Sequence, residues 1–71
     1  MDALTARQRQ VFNFLKSFQK KRGYPPTRRE ISDNFGWNST NAADQHLKLI
    51  EAKGWLKLPE GGISRGMALL K

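Results

Sequence analysis

The chain has 71 residues, with thirteen Lys or Arg against six Asp or Glu, and therefore a formal net charge of +7. This length predicts a single domain over residues 1–71 with one small core, and the lack of cysteine excludes a disulfide framework and a thiolate zinc site. An excess of positive charge this large for the length is typical of proteins that bind a polyanion, although a merely soluble basic domain has the same composition.

A first helix is predicted to begin after Thr5. The segment Thr5-Ala6-Arg7-Gln8 has the pattern of a capping box, in which the Thr5 side chain accepts from the Gln8 amide and the Gln8 side chain reaches back to Thr5. Apolar residues then recur at three- and four-residue steps and form one stripe, made of Val11, Phe14, Leu15 and Phe18. Gly23 is the predicted end of this helix, because the following Tyr24-Pro25-Pro26 cannot continue it.

Two further helices follow closely on each other. A second capping box, Thr27-Arg28-Arg29-Glu30, opens a short helix that is predicted to close at Gly36. Ser39 or Asn38 can cap a third helix, which is predicted to run to Lys53 and stop at Gly54. Two helices separated by a tight turn that contains glycine form the helix-turn-helix pattern, which plain structural hairpins also show.

Beyond Gly54 the periodicity changes from helical to strand-like. Residues 55–58 and 67–70 are apolar-rich segments on either side of the turn-forming cluster Pro59-Glu60-Gly61-Gly62, and they predict a two-stranded hairpin. The predicted fold class is therefore mainly α with a small β-hairpin, a winged helix-turn-helix of three helices and a two-stranded antiparallel wing.

The third predicted helix has two chemically different sides. Its apolar side is expected to pack on the first two helices and consists of Ala43, Leu47 and Ile50. The opposite side, which we call the outward face, consists of Asn41, Asp44, Gln45 and Lys48. Asn and Gln can bond adenine with two hydrogen bonds, Asp can accept from cytosine N4, and Lys can reach guanine or phosphate. Ala42, at the edge, would allow close approach to the groove or touch a thymine methyl group. We predict that this face reads base edges; an ordinary solvated helix face is the alternative.

Basic residues surround the outward face and predict contacts to the DNA backbone. They are Arg7, Arg28, Arg29, Lys53 and Arg65, and Thr27 adds a helix N-terminus at which a phosphate can bind. Each of these cations alone is commonly a solvated surface charge, so the prediction depends on their joint placement. Asp44, on the outward face, is negatively charged. A carboxylate beside phosphates is unfavourable unless it accepts a hydrogen bond from a base edge. Its presence therefore favours sequence-specific binding over nonspecific binding.

Other functional classes find little support. His46 has no second ligand nearby in sequence and is expected to pack or hydrogen-bond, while the aromatic residues are expected in or beside the core: Phe12, Phe35, Trp37 and Trp55. No nucleophile with its base, paired carboxylates or glycine-rich phosphate loop is recognisable, so we expect neither an enzyme nor a cofactor or metal. No leader or membrane-spanning run is present in these residues, so we expect a soluble cytoplasmic protein, associated with the nucleoid.

Nearly the whole chain resembles the N-terminal DNA-binding domain of LexA repressors, the bacterial SOS regulators and their phage homologues. The similar blocks are Ala3-Leu4-Thr5-Ala6-Arg7-Gln8, Val11-Phe12, Pro25-Pro26-Thr27-Arg28, Glu30-Ile31, Gly36-Trp37, Ser39, Asn41-Ala42-Ala43, His46-Leu47-Lys48, Lys53-Gly54 and Ser64-Arg65-Gly66. The resemblance implies a transcriptional repressor whose third helix enters the major groove of inverted-repeat operators with CTGT half-sites. By the same resemblance, Ser39, Asn41 and Ala42 would contact bases, and the wing residues Ser64 and Arg65 would approach the backbone with Arg7, Arg28 and Lys53.

Several residues depart from the family pattern. Thr40 stands where the family usually has proline, and Asp44 and Gln45 stand where it often has two glutamates, so the preferred operator is expected to differ. The wing turn is about one residue longer. LexA repressors continue into a domain that dimerises and holds a Ser/Lys catalytic pair for self-cleavage. If these 71 residues are the whole protein, it lacks both functions; if they are a piece, both lie outside them. Without that domain, weak or no self-association is expected.

A protein-interaction module is the alternative function, for example a phage winged helix that acts on a host regulator. Its docking surface would be formed by Trp55 and the apolar segment 67–70.

Overall fold

The computed structural model describes residues 3–59 and 67–71. Three helices precede a two-stranded antiparallel sheet: α1 (Ala6–Arg22), α2 (Arg28–Phe35), α3 (Thr40–Ala52), β1 (Leu56–Lys57) and β2 (Ala68–Leu69). This is the predicted winged helix-turn-helix arrangement. Most of the predicted wing turn (residues 60–62) and the wing residues Ser64 and Arg65 lie outside the described residues. Within the described part of the chain, no helix is long and apolar enough to cross a membrane.

The helix starts follow the predicted capping chemistry. In both predicted capping boxes the threonine hydroxyl accepts from the backbone N–H three residues on, at 3.2 Å for Thr5 and Gln8 and 3.1 Å for Thr27 and Glu30. The reciprocal bonds from the Gln8 and Glu30 side chains are also present, at 3.0 and 2.8 Å. Of the two candidate caps for α3, Ser39 is the one used: its hydroxyl accepts from the Asn41 N–H. The chain is therefore directed into each helix by local side chains, as the sequence predicted.

The helix ends also agree with the sequence. Gly23 and Gly36 close α1 and α2 with φ of 84° and 72°, a left-handed conformation that residues with a Cβ rarely adopt. The third helix ends at Ala52, one residue before the predicted Lys53, which serves as its C-cap.

The core holds α3 in place by its apolar side. Ala43, Leu47 and Ile50 are fully buried, as predicted. They belong to a cluster to which every other element or its flanking segment contributes: Leu4, Val11, Phe12, Leu15, Ile31, Leu56 and Met67. Burying one such aliphatic or aromatic side chain stabilises the fold by about 1.5–3 kcal/mol, so α3 is fixed by several contacts of that size.

The sheet is shorter than predicted but pairs in a definite register. Leu56 pairs with Leu69 and Lys57 with Ala68, and the Leu70 N–H donates to the Trp55 carbonyl oxygen at 2.9 Å. Beyond these residues the predicted strands do not pair. The Leu58 N–H donates to the Glu51 carboxylate of α3 instead, at 2.7 Å. That bond ties the start of the wing to the end of α3.

Candidate nucleic-acid interface

The outward face lies on the solvent side of α3, opposite the buried residues. Asn41, Gln45 and Lys48 are exposed, and Asp44 is half-buried. At the start of the helix Ser39 is exposed and Ala42 is half-buried. All six predicted base-reading residues therefore lie on one helix or its cap, on the side that the core leaves open. Their contact with bases stays a prediction.

A buried serine that no sequence pattern marked fixes the turn between α2 and α3. Ser32 is only 2% exposed, and its hydroxyl donates to the carbonyl oxygen of Ser39 at 3.0 Å. The Ser32 carbonyl oxygen in turn accepts from the Trp37 N–H at 2.9 Å. The sequence feature that could have indicated this role is the position of Ser32: it is a small polar residue next to the apolar Ile31 and one turn before Gly36, which ends α2.

Aromatic rings stack across the same turn. The Trp37 ring lies between Phe35 and His46, with centroid distances of 4.9 and 5.2 Å and interplanar angles below 20°. These rings pack α2, the turn and α3 together, which agrees with the prediction that they are core-edge residues. Phe12 is buried and packs edge-on against Trp55 at 5.5 Å.

His46 is a half-buried packing residue. Its Nδ1 is buried and has no hydrogen-bond partner among the described residues. Burial lowers the pKa of His46 below the ordinary 6.5, and the positive charge of Arg7 lowers it further. Over residues 3–59 and 67–71, no three His, Cys, Asp or Glu side chains come together as a metal site.

Asp44 joins two cations from different helices. Its Oδ1 accepts from Arg28 Nε at 2.7 Å, and its Oδ2 lies 2.9 Å from Lys48 Nζ. The hydrogen bond from Lys48, and after it the bond and charge of Arg28, lower the pKa of Asp44 against the opposing effect of partial burial. The structure thus brings Arg28, predicted to bind the backbone, onto the predicted base-reading face. The Asp44–Lys48 spacing of four residues was visible in the sequence, whereas Arg28 is sixteen residues away and required the fold.

The Lys53 side chain is hydrogen-bonded to other groups of the protein. Its Nζ donates to the Ala3 carbonyl oxygen at 2.9 Å and to Gln8 Oε1 at 2.7 Å. Gln8 is 6% exposed, and the same oxygen accepts from the Thr5 N–H in the capping box. Lys53 therefore fastens the end of α3 to the beginning of α1. Its predicted phosphate contact stays a prediction, and no sequence spacing indicated this clasp.

The other predicted backbone-binding residues within the described part of the chain lie at helix starts. Arg7 is exposed in the first turn of α1 and Arg29 in the first turn of α2. Thr27 is half-buried and caps α2, whose N-terminus has the partial positive charge that favours an anion.

Comparison with known proteins gives one consistent result. Residues 1–66 match a family model described as the LexA DNA binding domain. The chain is 51% identical to the LexA repressor of Actinobacillus succinogenes over 67 residues, which is 94% of this chain and 31% of that repressor. It is 46% identical to the LexA repressor of Edwardsiella ictaluri over 70 residues, 99% of this chain and 34% of that repressor. The chain thus spans about a third of the length of these relatives.

Proposed function

Because this chain belongs to the family of LexA DNA binding domains, we propose that it binds duplex DNA at a specific sequence and acts in transcriptional repression. The observation that carries the proposal is the division of α3 into two sides. Ala43, Leu47 and Ile50 are fully buried, while Asn41 and Gln45 are exposed beside them. A helix fixed by its core side and polar on its free side is suited to enter a major groove.

The proposed recognition chemistry follows from the groups on that side. The Asn41 amide, in the first turn of α3, can donate to adenine N7 and accept from N6, and the Gln45 amide, one turn further on, can do the same at a neighbouring base pair. Ser39 and Ala42, at the start of the helix, are proposed to contact bases where the helix meets the groove floor. Lys48 is proposed to reach guanine or a nearby phosphate.

The proposed backbone contacts orient α3 in the groove. They are made by Arg7, Thr27, Arg28, Arg29, and the wing residues Ser64 and Arg65. Lys53 is proposed to contribute in part, since its Nζ also bonds to Ala3 and Gln8. Contacts to phosphate fix the register of a protein on the duplex without reading sequence, so loss of one should weaken binding to all duplexes alike.

The proposed operator is an inverted repeat. One domain presents one recognition helix, so a single copy covers one half-site and is expected to bind it weakly, with a Kd of roughly micromolar order. Two copies on the two halves would gain affinity if they contact or are tethered to each other. Since Gln45 stands where the family often has glutamate and can donate as well as accept, the preferred half-site is expected to be related to CTGT and not identical to it. A repressor works where the chromosome lies, so the proposal includes a cytoplasmic, nucleoid-associated location.

Selection of binding sites from a pool of random duplexes tests the proposal. We expect the selected duplexes to share one motif, and half-site and full-site duplexes derived from it then show whether copies cooperate. Neutralising about four to five phosphates predicts a slope near −4 for log K against log salt concentration. Selected duplexes without a common motif, or a slope near zero, would contradict the proposal.

The interaction-module alternative is less well supported. Its predicted docking surface includes Met67, which is 6% exposed and part of the core, and Trp55, which packs on Phe12. Leu70 is the one large apolar residue of the segment that is well exposed, at 56%. Retention of a protein partner in a pull-down at high salt, where DNA contacts weaken, would favour this alternative.

A further inference from the structure

We propose that Asp44 is a positioning residue: it holds the guanidinium of Arg28 on the outward face of α3, so that Arg28 meets DNA in one fixed orientation. This inference rests on the proposed function. It reassigns both residues, since Asp44 acts through Arg28 instead of accepting from a cytosine, and Arg28 becomes a contributor to specificity.

The geometry of the pair supports a fixed guanidinium. Arg28 is the first residue of α2 and Asp44 lies in the middle part of α3, yet Nε and Oδ1 are 2.7 Å apart. This is the short distance typical of a charge-assisted hydrogen bond. Both side chains are less than a third exposed, at 29% and 28%. A long side chain held in this way has lost much of its rotamer freedom before it meets DNA, so less freedom is lost on binding.

The bond through Nε leaves the two donors at the end of the Arg28 guanidinium for DNA. A guanidinium has five N–H groups in a plane, and Nε has one of them. The other four are on the two Nη nitrogens: one lies parallel to the Nε–H on the same edge, and the pair at the end of the guanidinium points away along the side chain. Held in one plane, they suit the pair of acceptors that guanine presents in the major groove, O6 and N7.

The arrangement also accounts for a carboxylate on a surface that faces DNA. Each Asp44 oxygen already has a cation, Oδ1 the Arg28 guanidinium and Oδ2 the Lys48 ammonium. The pKa of Asp44 is lowered by these partners, so the carboxylate stays ionised and the cluster of three keeps one net positive charge. The donor that a buried or DNA-facing carboxylate requires is therefore supplied by the protein and not by a base.

A double-mutant cycle tests the proposal on the parent chain with the selected duplex and a scrambled one. We expect Asp44→Ala to lower affinity for the selected duplex roughly tenfold and to leave or raise affinity for the scrambled duplex, since a negative charge is lost. In an Arg28→Ala background, Asp44→Ala should lower the affinity for the selected duplex only slightly. Asp44→Glu should restore most of the selectivity, and Asp33→Ala, which removes an exposed carboxylate from α2, is the control for charge.

The readout is the ratio of the two affinities, because partial unfolding of a variant lowers both affinities equally. An unchanged cost of Asp44→Ala in the Arg28→Ala background would mean that Asp44 contacts DNA itself, which overturns this inference and leaves the proposed function standing. A parent chain with no preference between duplexes would overturn the proposed function instead, and this inference with it. Replacing guanines of the site by 7-deazaguanine tests the acceptor: a loss of affinity that depends on Arg28 supports the inference, and no such loss would place Arg28 on phosphate and overturn its role in specificity.

Discussion

Ser32 donates its hydroxyl hydrogen to the backbone carbonyl oxygen of Ser39 across 3.0 Å. Ser39 is also the N-cap of α3, so this one bond links the buried side of α2 to the residue at which the recognition helix begins. The position of that beginning relative to α2 is thus set by a side chain as well as by the length of the turn. Damage to this link should affect both folding and the alignment of α3.

Ser32→Ala should destabilise the fold by about 1 kcal/mol, because the hydrogen bond from the buried Ser32 hydroxyl to the Ser39 carbonyl oxygen is lost. Urea unfolding followed by circular dichroism measures the change. Ser17→Ala, at an exposed position of α1, is the matched control and should have little effect. Equal stability of the Ser32 variant and the parent would mean that water replaces the hydroxyl and that the bond is not needed to fix the turn.

Lys53→Met should lower the stability by about 1 kcal/mol, because the bonds to the Ala3 carbonyl and the Gln8 side chain are lost while the aliphatic part of the side chain remains. Its effect on the salt dependence of DNA binding should be smaller than the change of about 0.9 in slope expected for one lost phosphate contact. Both quantities are measured beside those of Lys20→Met, an exposed lysine of α1. A slope that flattens by nearly a full unit would show that Lys53 leaves its clasp and binds phosphate.

Asn41→Ala should cost about 1–3 kcal/mol of binding free energy on the selected duplex and little on a scrambled duplex, since a bidentate amide contact is sequence-dependent. Fluorescence anisotropy titrations with both duplexes measure the two changes. Asn13→Ala, on the exposed side of α1, provides the same chemical change away from the interface. If Asn41→Ala weakened both duplexes by the same factor, the side chain would be a solvated or backbone-binding group.

His46 should make folding stability depend on pH just below neutrality. Since burial lowers its pKa in the folded state below the ordinary 6.5, the unfolded chain takes up a proton that the folded chain does not. The contribution of His46 is therefore full above pH 6.5 and is lost as the pH falls through the lower, folded-state pKa.

Unfolding free energies at a series of pH values above 5 measure this dependence, and His46→Gln should remove it. Asp44 does not interfere in this range: its pKa is lowered from 3.8, so its contribution to stability is present above that value and is lost only in more acidic solution. A His46→Gln variant with the same pH dependence as the parent would place the effect elsewhere.

Local chemistry made much of the fold predictable, and long-range contacts explain what the sequence did not indicate. The two capping boxes and the glycine stops of α1 and α2 depend on residues within four positions of each other and were confirmed, as was Ser39, one of the two candidate caps of α3. The Ser32 hydroxyl and the Lys53 clasp depend on partners seven and forty-five to fifty residues away. No periodicity encodes such distances, so these contacts required the folded chain.

The same distinction applies to the candidate interface. The exposure of Asn41 and Gln45 followed from helical periodicity, because the buried residues of α3 define the opposite side. The pairing of Arg28 with Asp44 did not, since it depends on how α2 crosses α3. From residue type alone, Arg28 was predicted to contact the DNA backbone and Asp44 a base. The fold places the two side chains in contact with each other.

The separation of the two sides of α3 has a consequence for how such a domain can change over time. Because the apolar contacts of α3 lie on Ala43, Leu47 and Ile50, replacement of an exposed neighbour such as Gln45 removes no buried contact and leaves the free energy of unfolding nearly constant. Operator preference can therefore drift through single substitutions without a preceding gain in stability. Asp44 is less free in this respect, because a change there also releases Arg28 and Lys48. A lineage that acquires a new operator should explore position 45 before position 44.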